Sequence, residues 1–284
     1  MGHSAALRGA LWMGGAVLSF CAMAIAAREL LRHMGAFEVL LMRSLAMFLI
    51  VLGMVARASA GTLHTRRLGL HVGRNLFHFG GQYAWVYALG ALPLATVFAI
   101  EFTMPVWTAV LAALILGERL NRGRLVMLAL GVAGVALILR PGFAFIHPAA
   151  LVMMAGAVAY SATMIATKRL SATDAPLAVL FWMSVVQTPL ALATALPQWV
   201  TPTTADAPWI LAICAGSFSA HYCMTRALKI ADATAVIPID FLRLPLIVVV
   251  GAVFYAEPFD PFILIGAAVI FAGTYHSLSR ESRR

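Results

Sequence analysis

Two long apolar runs of the sequence each contain a single carboxylate. Glu101 lies in ATVFAIEFTMPVWTAVLAALILG, and Asp240 lies in ATAVIPIDFLRLP. An ionisable group inside a membrane-crossing helix costs at least ~2.5 kcal/mol, so it normally faces a partner or a water-filled cavity. A carboxylate in such a place can bind a cation, take up a proton or pair with an arginine.

Two arginines inside apolar runs are candidates to bind an anion or to neutralise these acids. Arg43 is expected ~10 Å below the outer membrane face, at the depth predicted for Glu101, and the two are predicted to pair. Arg243 follows Asp240 by three residues, so both share one helical face and can form an ion pair. The alternative role of Arg243 is to clamp a carboxylate or phosphate of a substrate with its forked guanidinium group. Both roles stay open at this point.

Histidines, aromatic residues and prolines of the same runs form a second group of candidates. His221, in SAHYCMTRA, is either a proton relay or a neutral core histidine. Arg74 and Arg226 lie near predicted inner helix ends, from which arginine side chains reach the membrane surface. The aromatic residues predicted to face a flat substrate, with simple packing as the alternative, are Phe20, Tyr160, Tyr83 and Tyr222. The candidate hinges, with fixed kinks as the alternative, are Pro105 and Pro245.

Composition identifies the class of protein that has to position these residues. Of the 284 residues, 62% are hydrophobic and 11% are charged, against roughly 25% charged residues in soluble domains. A soluble chain could not cover so much apolar surface, so the sequence predicts an all-α integral membrane protein. The net charge of +9 comes from basic residues clustered in short loops. This is the pattern of membrane topology, and it argues against nucleic acid as a partner.

Ten segments are long and apolar enough to cross a membrane as helices, which takes about twenty residues. The predicted spans are roughly 8–27, 36–56, 70–90, 94–116, 123–139, 149–167, 176–196, 208–228, 233–255 and 262–279. Strands of a membrane barrel would be about half as long and would alternate in polarity. Lys and Arg concentrate in the connections on one side of the membrane, and this asymmetry predicts that both termini are cytoplasmic.

The two halves of the chain resemble each other. LWMGGAVLSFCAMAIAAREL (11–30) aligns with LVMMAGAVAYSATMIATKRL (151–170), and ALGALPLATVFAIEF (88–102) aligns with ALKIADATAVIPIDF (227–241). The predicted repeats are 8–140, with helices 1–5, and 148–279, with helices 6–10, followed by a short basic cytoplasmic tail at 280–284. Because five spans are an odd number, the second repeat enters the membrane in the opposite orientation, as in many secondary transporters.

The alignment makes pairs of positions equivalent between the inverted repeats. Glu101 falls on Asp240, and the other pairs are Phe20/Tyr160, Arg28/Lys168, Tyr83/Tyr222, Phe102/Phe241 and Glu118/Glu257. Chance alignment of small apolar residues is the alternative explanation, and the acid followed by Phe in both halves argues against it. Inversion predicts that the two acids lie on opposite sides of the membrane midplane, one in each half of the pathway, where either acid could take up a proton.

Motifs of several enzyme classes are absent from the sequence. It contains no GxxxxGK[ST], HExxH or GxSxG, so ATP-driven transport by this chain and these hydrolase classes lack support. Cys21, Cys214 and Cys223 fall in apolar segments, with spacings that suit neither a disulfide framework nor a metal site. The sequence therefore predicts a protein that is not an enzyme and that has no cofactor and no metal site.

Together these features resemble the drug/metabolite transporter superfamily, specifically the bacterial EamA type with two five-helix repeats. The resemblance is carried by MRSLAMFLI, GRNLFHFGGQYAWVYALGALPLATVFAIEFTMPVWTAVLAALILGERL, GVAGVALILRPG and ALKIADATAVIPIDFLRLP followed by YAEPF. It implies a multi-pass protein of the bacterial inner membrane that works by alternating access. It also implies that helices 1, 3, 4, 6, 8 and 9 line a central cavity, which helices 5 and 10 support from outside.

The expected function is secondary active transport of a small polar organic metabolite. A carboxylate-binding arginine and paired aromatic residues favour an amino acid or related zwitterion as substrate, and the family resemblance favours export. One alternative is uptake of a larger flat metabolite such as riboflavin or S-adenosylmethionine. A non-transporting receptor or an intramembrane enzyme is the alternative from another class, and the dispersed acids argue against it. The expected partners are the substrate, the lipid bilayer and protons as a candidate coupling ion, with the chain a monomer or homodimer.

Overall fold

A computed structural model describes residues 3–58, 60–118, 121–140, 146–231 and 233–281. Within these ranges the chain forms α-helices and two short 3-10 helices, and it forms no strand. The predicted all-α class is therefore confirmed. Residues 282–284 of the predicted basic tail lie outside the described residues.

The described ranges contain twelve α-helices. They are α1 (His3–Leu30), α2 (Ala36–Val55), α3 (Leu68–Ala91), α4 (Leu94–Glu101), α5 (Met104–Leu116), α6 (Arg122–Leu139), α7 (Pro148–Leu170), α8 (Pro176–Ala195), α9 (Ala207–Ile230), α10 (Ala233–Asp240), α11 (Arg243–Tyr255) and α12 (Pro261–Glu281). Only two residues separate α4 from α5 and α10 from α11, so each of these pairs forms one interrupted span. Counted in this way, the described ranges hold ten helical segments, as predicted.

Eight of the described segments are long and apolar enough to cross a membrane by composition. The other two, α3 and α9, have 24 residues each and occupy equivalent places in the two repeats. At 1.5 Å per residue each is about 36 Å long, which exceeds the ~30 Å hydrocarbon core. Polar residues lower their hydropathy, and in α3 the side chains of His71, Arg74 and Asn75 are buried against other helices. Intramembrane polar residues normally face the protein interior in this way.

Both interrupted spans break beside the candidate acids. α4 ends at Glu101, and α10 ends at Asp240. Pro105 and Pro245 lie in the first turns of the helices that follow. Proline has no N–H to donate and its ring clashes with the preceding turn, so it is tolerated at a helix start and interrupts a continuing helix. The structure accounts for the breaks, while the predicted hinge motion stays a prediction.

Helices of the two repeats pack against each other in a two-fold pattern. α1 packs against α9, α3 against α7, α2 against α8 and α6 against α12. Since α1 is equivalent to α7 and α3 to α9, the first two contacts exchange under the repeat symmetry, and the other two map onto themselves. Phe102 and its equivalent Phe241 stack on each other with ring centroids 4.2 Å apart. A residue that touches its own equivalent lies at the pseudo-two-fold axis, so the axis passes beside Glu101 and Asp240.

Candidate substrate site between the repeats

The guanidinium group of Arg243 joins the two candidate acids. Its Nη1 lies 3.2 Å from Glu101 Oε1, and its Nη2 lies 3.4 Å from Asp240 Oδ2. The indole N–H of Trp85 donates to the other oxygen of Glu101, Oε2, at 2.7 Å. The Arg243 side chain is 4% exposed and each acid is 15% exposed. The cluster is therefore shielded from solvent, and its electrostatic interactions are stronger than they would be in water.

Three phenylalanine rings surround the same guanidinium group. Arg243 Cζ lies 4.5 Å from the ring centroid of Phe20, 4.8 Å from that of Phe102 and 5.2 Å from that of Phe98. These are cation–π distances, and such contacts strengthen where water is excluded. Phe20 belongs to α1, Phe98 to α4 and Arg243 to α11, so the cluster connects elements of both repeats.

The predicted pair of Glu101 with Arg43 is wrong. Glu101 contacts Arg243 and Trp85, whereas Arg43 donates through Nε to Ser217 Oγ at 3.0 Å. The prediction that each acid lies in its own half of the pathway is wrong as well, because one guanidinium group contacts both. The prediction counted the depth of each acid along a straight, uninterrupted helix, and this placed the two acids far apart. Both helices break at the acids, beside the axis that brings equivalent residues together.

The cluster around Arg243 contains one cation for two acids. The position of the first repeat that is equivalent to Arg243 holds Met104, so the symmetry that supplies a second acid supplies no second base. Asp240 Oδ1 is buried and has no hydrogen-bond partner within the described ranges. With both carboxyl groups ionised, the cluster keeps an excess negative charge, which a proton or a bound cation would neutralise.

Arg43 shows the opposite charge imbalance, a cation without a carboxylate partner. Its Nη1 is buried without a hydrogen-bond partner, and no carboxylate of the described residues lies within ion-pair distance of it. The equivalent position in the second repeat holds Met183. A buried charge that lacks a counterion destabilises a folded protein. We therefore expect this guanidinium group to receive an anion.

Polar and aromatic side chains collect around Arg43. Thr188 of α8, which follows Gln187, donates to the backbone carbonyl of Ser44, the residue after Arg43, at 3.4 Å. Ser217, the partner of Arg43, lies one helical turn before His221. His78 Nδ1 is 2.8 Å from Gln187 Nε2, and the His78 ring packs edge-on against Tyr160 with centroids 5.7 Å apart. The surroundings of Arg43 thus combine a cation with ring faces from α3, α7 and α9.

His221 connects this group to the cluster around Arg243. Its ring packs edge-on against Phe20 at 5.6 Å, and Phe20 in turn lies against the Arg243 guanidinium group. Ser217, the hydrogen-bond partner of Arg43, lies one helical turn before His221 on α9, which agrees with that placement. The structure therefore brings seven of the predicted candidates into one continuous site, namely Phe20, Arg43, Glu101, Tyr160, His221, Asp240 and Arg243.

Tyr83 and Tyr222 lie outside this site. Tyr83 stacks on Phe37 with centroids 4.5 Å apart and lines a separate cavity of about 140 Å³. Tyr222 is 47% exposed and packs edge-on against Trp12 at 5.7 Å. The ring contacts of both tyrosines are with residues outside the site, so the repeat equivalence of two residues does not by itself place them in it.

Arg74 does not reach the membrane surface as predicted. It is buried, donates through Nε to Thr167 Oγ1 at 3.0 Å and donates through Nη1 to Asn75 Oδ1 at 2.8 Å. The polar face of α3 is turned toward α7, and this orientation draws Arg74 into the protein. Arg226 is exposed and lies over the ring of Trp12 at 5.4 Å.

A glycine gives Tyr160 its room beside His78. A β-carbon at Gly81 would lie 3.0 Å from the Tyr160 ring, whereas a β-carbon at Gly80 would meet no atom within 4 Å. Only a residue without a side chain lets α3 approach the Tyr160 ring so closely. Gly81 therefore belongs to the structure of the site although it bears no functional group.

Arg28 joins several helices at one end of the interface between the repeats. It lies in the last turn of α1 and donates to the backbone carbonyls of Leu89 at 2.8 Å and Leu92 at 3.1 Å. It also forms an ion pair with Glu257, which in turn accepts from the backbone N–H of Leu94 at 2.9 Å. This Arg28 network ties α1, α3, α4 and the end of α11 together. The predicted topology assigns this end to the periplasmic side.

The equivalent network at the other end is incomplete. Lys168, which matches Arg28, pairs with Glu118, which matches Glu257, at 2.6 Å. Hydrogen bonds from Lys168 and Arg124 hold the pKa of Glu118 below its usual value. Lys168 is nevertheless 66% exposed, and within the described ranges it forms no hydrogen bond to α9.

Exposure of the matched helix ends shows the same asymmetry. Leu89 of α3 is fully buried, whereas its equivalent in α9, Leu228, is 45% exposed. Val86 is fully buried and its equivalent Thr225 is exposed. The inner half of α9 is therefore packed less closely than the outer half of α3. The contacts between the repeats are therefore more complete at the Arg28 end than at the Lys168 end.

The sequence predictions did not include Trp85 or Arg28 among the candidate residues of this site. Trp85 bonds to Glu101, and an indole in an apolar run gives no signal of such a contact. A signal for the Arg28 network was present, because the repeat alignment matched both members of the Arg28–Glu257 pair with Lys168 and Glu118. A pair of opposite charges that recurs in both repeats indicates a contact made at both ends.

Within the described ranges no three His, Cys, Asp or Glu side chains are placed to hold a metal ion. The groups that the site does present are carboxylates, guanidinium groups and aromatic rings. Such groups recognise opposite charges and flat ring systems.

Comparison with known proteins places the chain among membrane transporters. It matches the model of the EamA-like transporter family twice, over residues 7–140 and 147–279. An S-adenosylmethionine uptake transporter of Rickettsia prowazekii is 27% identical over 248 residues, which are 87% of this chain and 84% of that protein. A riboflavin transporter of Rhizobium johnstonii is 31% identical over 238 residues, which are 84% of this chain and 79% of that protein. A solved crystal structure superposes with a TM-score of 0.65 at 19% identity, over 94% of this chain and 95% of the other, and shows a shared fold.

Proposed function

Since the chain belongs to the EamA-like transporter family and is a multi-pass protein of the bacterial inner membrane, we propose that it takes up a flat, ring-bearing metabolite into the cell. The relatives that support this proposal are named as transporters of S-adenosylmethionine and of riboflavin, and they align over most of the chain. Both solutes carry a heteroaromatic ring system. The rings of Tyr160 and His221 beside Arg43 offer such a system faces and edges to stack against.

The proposal follows the alternative stated from the sequence and departs from its first choice, export of an amino acid. The relatives named above are transporters of larger solutes with ring systems. In addition, Arg243, one of the arginines expected to bind a substrate carboxylate, is held by Glu101 and Asp240. Both observations favour uptake of the larger class of metabolite.

Unequal closure of the two ends is the observation that carries the proposed mechanism. Transporters with inverted repeats expose a central site to one side of the membrane at a time by moving one repeat against the other. The Arg28 network closes one end, while the equivalent contacts around Lys168 are only partly made. In the opposite conformation the contacts around Arg28 would be broken and those around Lys168 completed. That change would open the Arg28 end and close the Lys168 end. With the predicted topology, the present conformation opens to the cytoplasm.

Uptake into proteoliposomes tests the proposed function. We expect radiolabelled S-adenosylmethionine or riboflavin to enter vesicles that contain the protein faster than protein-free vesicles. Preloading with the same unlabelled solute is expected to accelerate entry by counterflow, and unlabelled amino acids are not expected to compete. If neither solute shows counterflow, the proposed uptake function is wrong.

Gly81 offers a test of the site that leaves its polar groups unchanged. We expect Gly81→Val to push the Tyr160 ring aside and to lower the initial uptake rate at least about tenfold, with a loss of roughly 1–3 kcal/mol in stability. Gly80→Val is the matched control in the neighbouring position, where a side chain meets open space. Its uptake rate is expected within about twofold of the wild type. Equal rates for the two variants would show that the Tyr160 position does not matter.

A further inference from the structure

We propose that the site recognises a zwitterion, with Arg43 binding the carboxylate of the substrate and Asp240 binding its cationic group. This proposal rests on the proposed uptake function and narrows its substrate class. It distinguishes a solute such as S-adenosylmethionine, which carries a carboxylate and cationic groups, from riboflavin, which carries neither.

The carboxylate subsite is the guanidinium group of Arg43. Ser217 engages Nε, and Nη1 is left buried without a hydrogen-bond partner within the described ranges. Two nitrogens of one guanidinium group match the two oxygens of a carboxylate, which makes arginine the preferred residue for binding this group. A substrate carboxylate at Nη1 would satisfy the donor and supply the missing counterion at once.

The cation subsite is the free oxygen of Asp240. Arg243 divides its guanidinium group between Glu101 and Asp240, and the bond to Asp240 is the longer, at 3.4 Å against 3.2 Å. Glu101 has a second donor in Trp85, whereas Asp240 Oδ1 has none in the part of the chain that the structure describes. The excess negative charge of the cluster therefore resides mainly at Asp240. A substrate ammonium or sulfonium group placed there would balance it.

The two subsites belong to one continuous site. Phe20 contacts both the Arg243 guanidinium group and the His221 ring. His221 lies one helical turn after Ser217, the hydrogen-bond partner of Arg43. An adenine-sized ring system with a charged side arm has the extended shape that such a row of groups requires. The cation of Arg43 at one end of the row and the free oxygen of Asp240 at the other set the orientation of the substrate's charged side arm.

A purely structural role predicts a different pattern of charges. Structural arginines and acids in a membrane protein pair with each other and leave no net imbalance. Here Arg43 has no carboxylate partner within the described ranges, whereas Glu101 and Asp240 share one cation, and Asp240 Oδ1 has no hydrogen-bond partner there. Polar groups that stay unsatisfied in the free protein are expected where a ligand completes them.

Binding measurements with matched ligands test the proposal on purified protein in nanodiscs. The ligands are S-adenosylmethionine, its decarboxylated analogue, deaminated S-adenosylhomocysteine, which keeps the carboxylate and has no cation, and riboflavin. We expect the wild type to bind S-adenosylmethionine at least about tenfold more tightly than each of the other three ligands. Equal affinity for S-adenosylmethionine and its decarboxylated analogue, or for S-adenosylmethionine and riboflavin, would overturn the proposal.

Variants assign each charge to its residue. Arg43→Gln is expected to weaken S-adenosylmethionine binding about 10- to 100-fold and to leave the affinity for the decarboxylated analogue unchanged. Asp240→Asn is expected to weaken both of these ligands and to spare the ligand that has only a carboxylate. Arg226→Gln, in which the arginine lies against Trp12, is the matched control and should change none of the affinities. Loss of all ligands to the same extent in Arg43→Gln would refute the assignment.

Melting temperature supplies a readout that does not depend on the choice of ligand. Because the Arg43 charge has no counterion, Arg43→Met is expected to raise the melting temperature of the ligand-free protein relative to Arg226→Met. A lower melting temperature for Arg43→Met would indicate a structural role and would contradict the carboxylate subsite. If the wild type binds neither S-adenosylmethionine nor riboflavin, the proposed uptake function falls, and the melting temperatures still decide whether Arg43 is unbalanced.

Discussion

Replacement of Arg243 by methionine is expected to destabilise the protein by about 3–5 kcal/mol, because removal of one partner leaves the buried charges of the other uncompensated. The loss of stability is expected to be large here, since one guanidinium group forms ion pairs with both Glu101 and Asp240. Arg243→Met therefore leaves two carboxylates facing each other beside the pseudo-two-fold axis. The expected results are a large fall in melting temperature and loss of uptake.

The destabilisation by Arg243→Met can be separated into charge and packing. The triple variant Arg243→Met, Glu101→Gln, Asp240→Asn removes all three charges and is expected to recover most of the lost melting temperature. Arg226→Met again controls for removal of an arginine from a membrane helix. If the triple variant melts as low as Arg243→Met alone, the loss comes from the contacts with Phe20, Phe98 and Phe102 and not from unpaired acids.

Arg28→Gln is expected to open the closed end of the site. Arg28 bonds to two carbonyls of α3 and to Glu257, and the ion pair is largely shielded, with side-chain exposures of 17% and 11%. Loss of charge-assisted bonds of this kind costs roughly 1.5–3 kcal/mol, which changes the ratio of two conformations about 10- to 150-fold. The variant is therefore expected to favour the conformation that is open at the α3 end and to lower the uptake rate.

Cysteine labelling measures this shift directly. In a background in which Cys21, Cys214 and Cys223 are replaced by alanine, Leu89→Cys reports on the closed end and Leu228→Cys on the open end. We expect a membrane-impermeant maleimide to label Leu89→Cys slowly, and we expect Arg28→Gln to raise that rate at least about tenfold while lowering the rate at Leu228→Cys. Access from outside the cell at Leu89→Cys, and from inside at Leu228→Cys, also tests the predicted cytoplasmic termini.

Lys168→Gln is the matched control for Arg28→Gln. Lys168 occupies the equivalent position and pairs with Glu118, but its side chain is 66% exposed. Exposed ion pairs are worth about 0–1 kcal/mol, so the labelling rates are expected to change by less than about fivefold. Equal shifts from the two substitutions, or no change at Leu89→Cys in Arg28→Gln, would show that the Arg28 network does not hold the closed end.

Predictions from the sequence succeeded where they depended on local pattern. The apolar runs identified the helical segments, and the two proline-containing runs marked the spans that break beside Glu101 and Asp240. The repeat alignment matched Phe102 with Phe241, which stack on each other. It also paired Tyr83 with Tyr222, which lie apart from the site, because equivalence under a two-fold axis brings residues together only near that axis.

The sequence by itself determined that the chain is a multi-span helical membrane protein with two related halves, since the length and polarity of each run are properties of the run alone. It also determined that two acids and two arginines would lie within the membrane. Only the tertiary structure decided which of these charges meet. Glu101 and Asp240 converge on Arg243 because the contact between the repeats places the breaks of α4/α5 and α10/α11 beside one axis. Arg43 keeps an unsatisfied donor because α2 directs it toward Ser217 of α9 and away from both acids. Such partnerships depend on how helices from distant parts of the chain pack, and depth along a single helix does not contain that information.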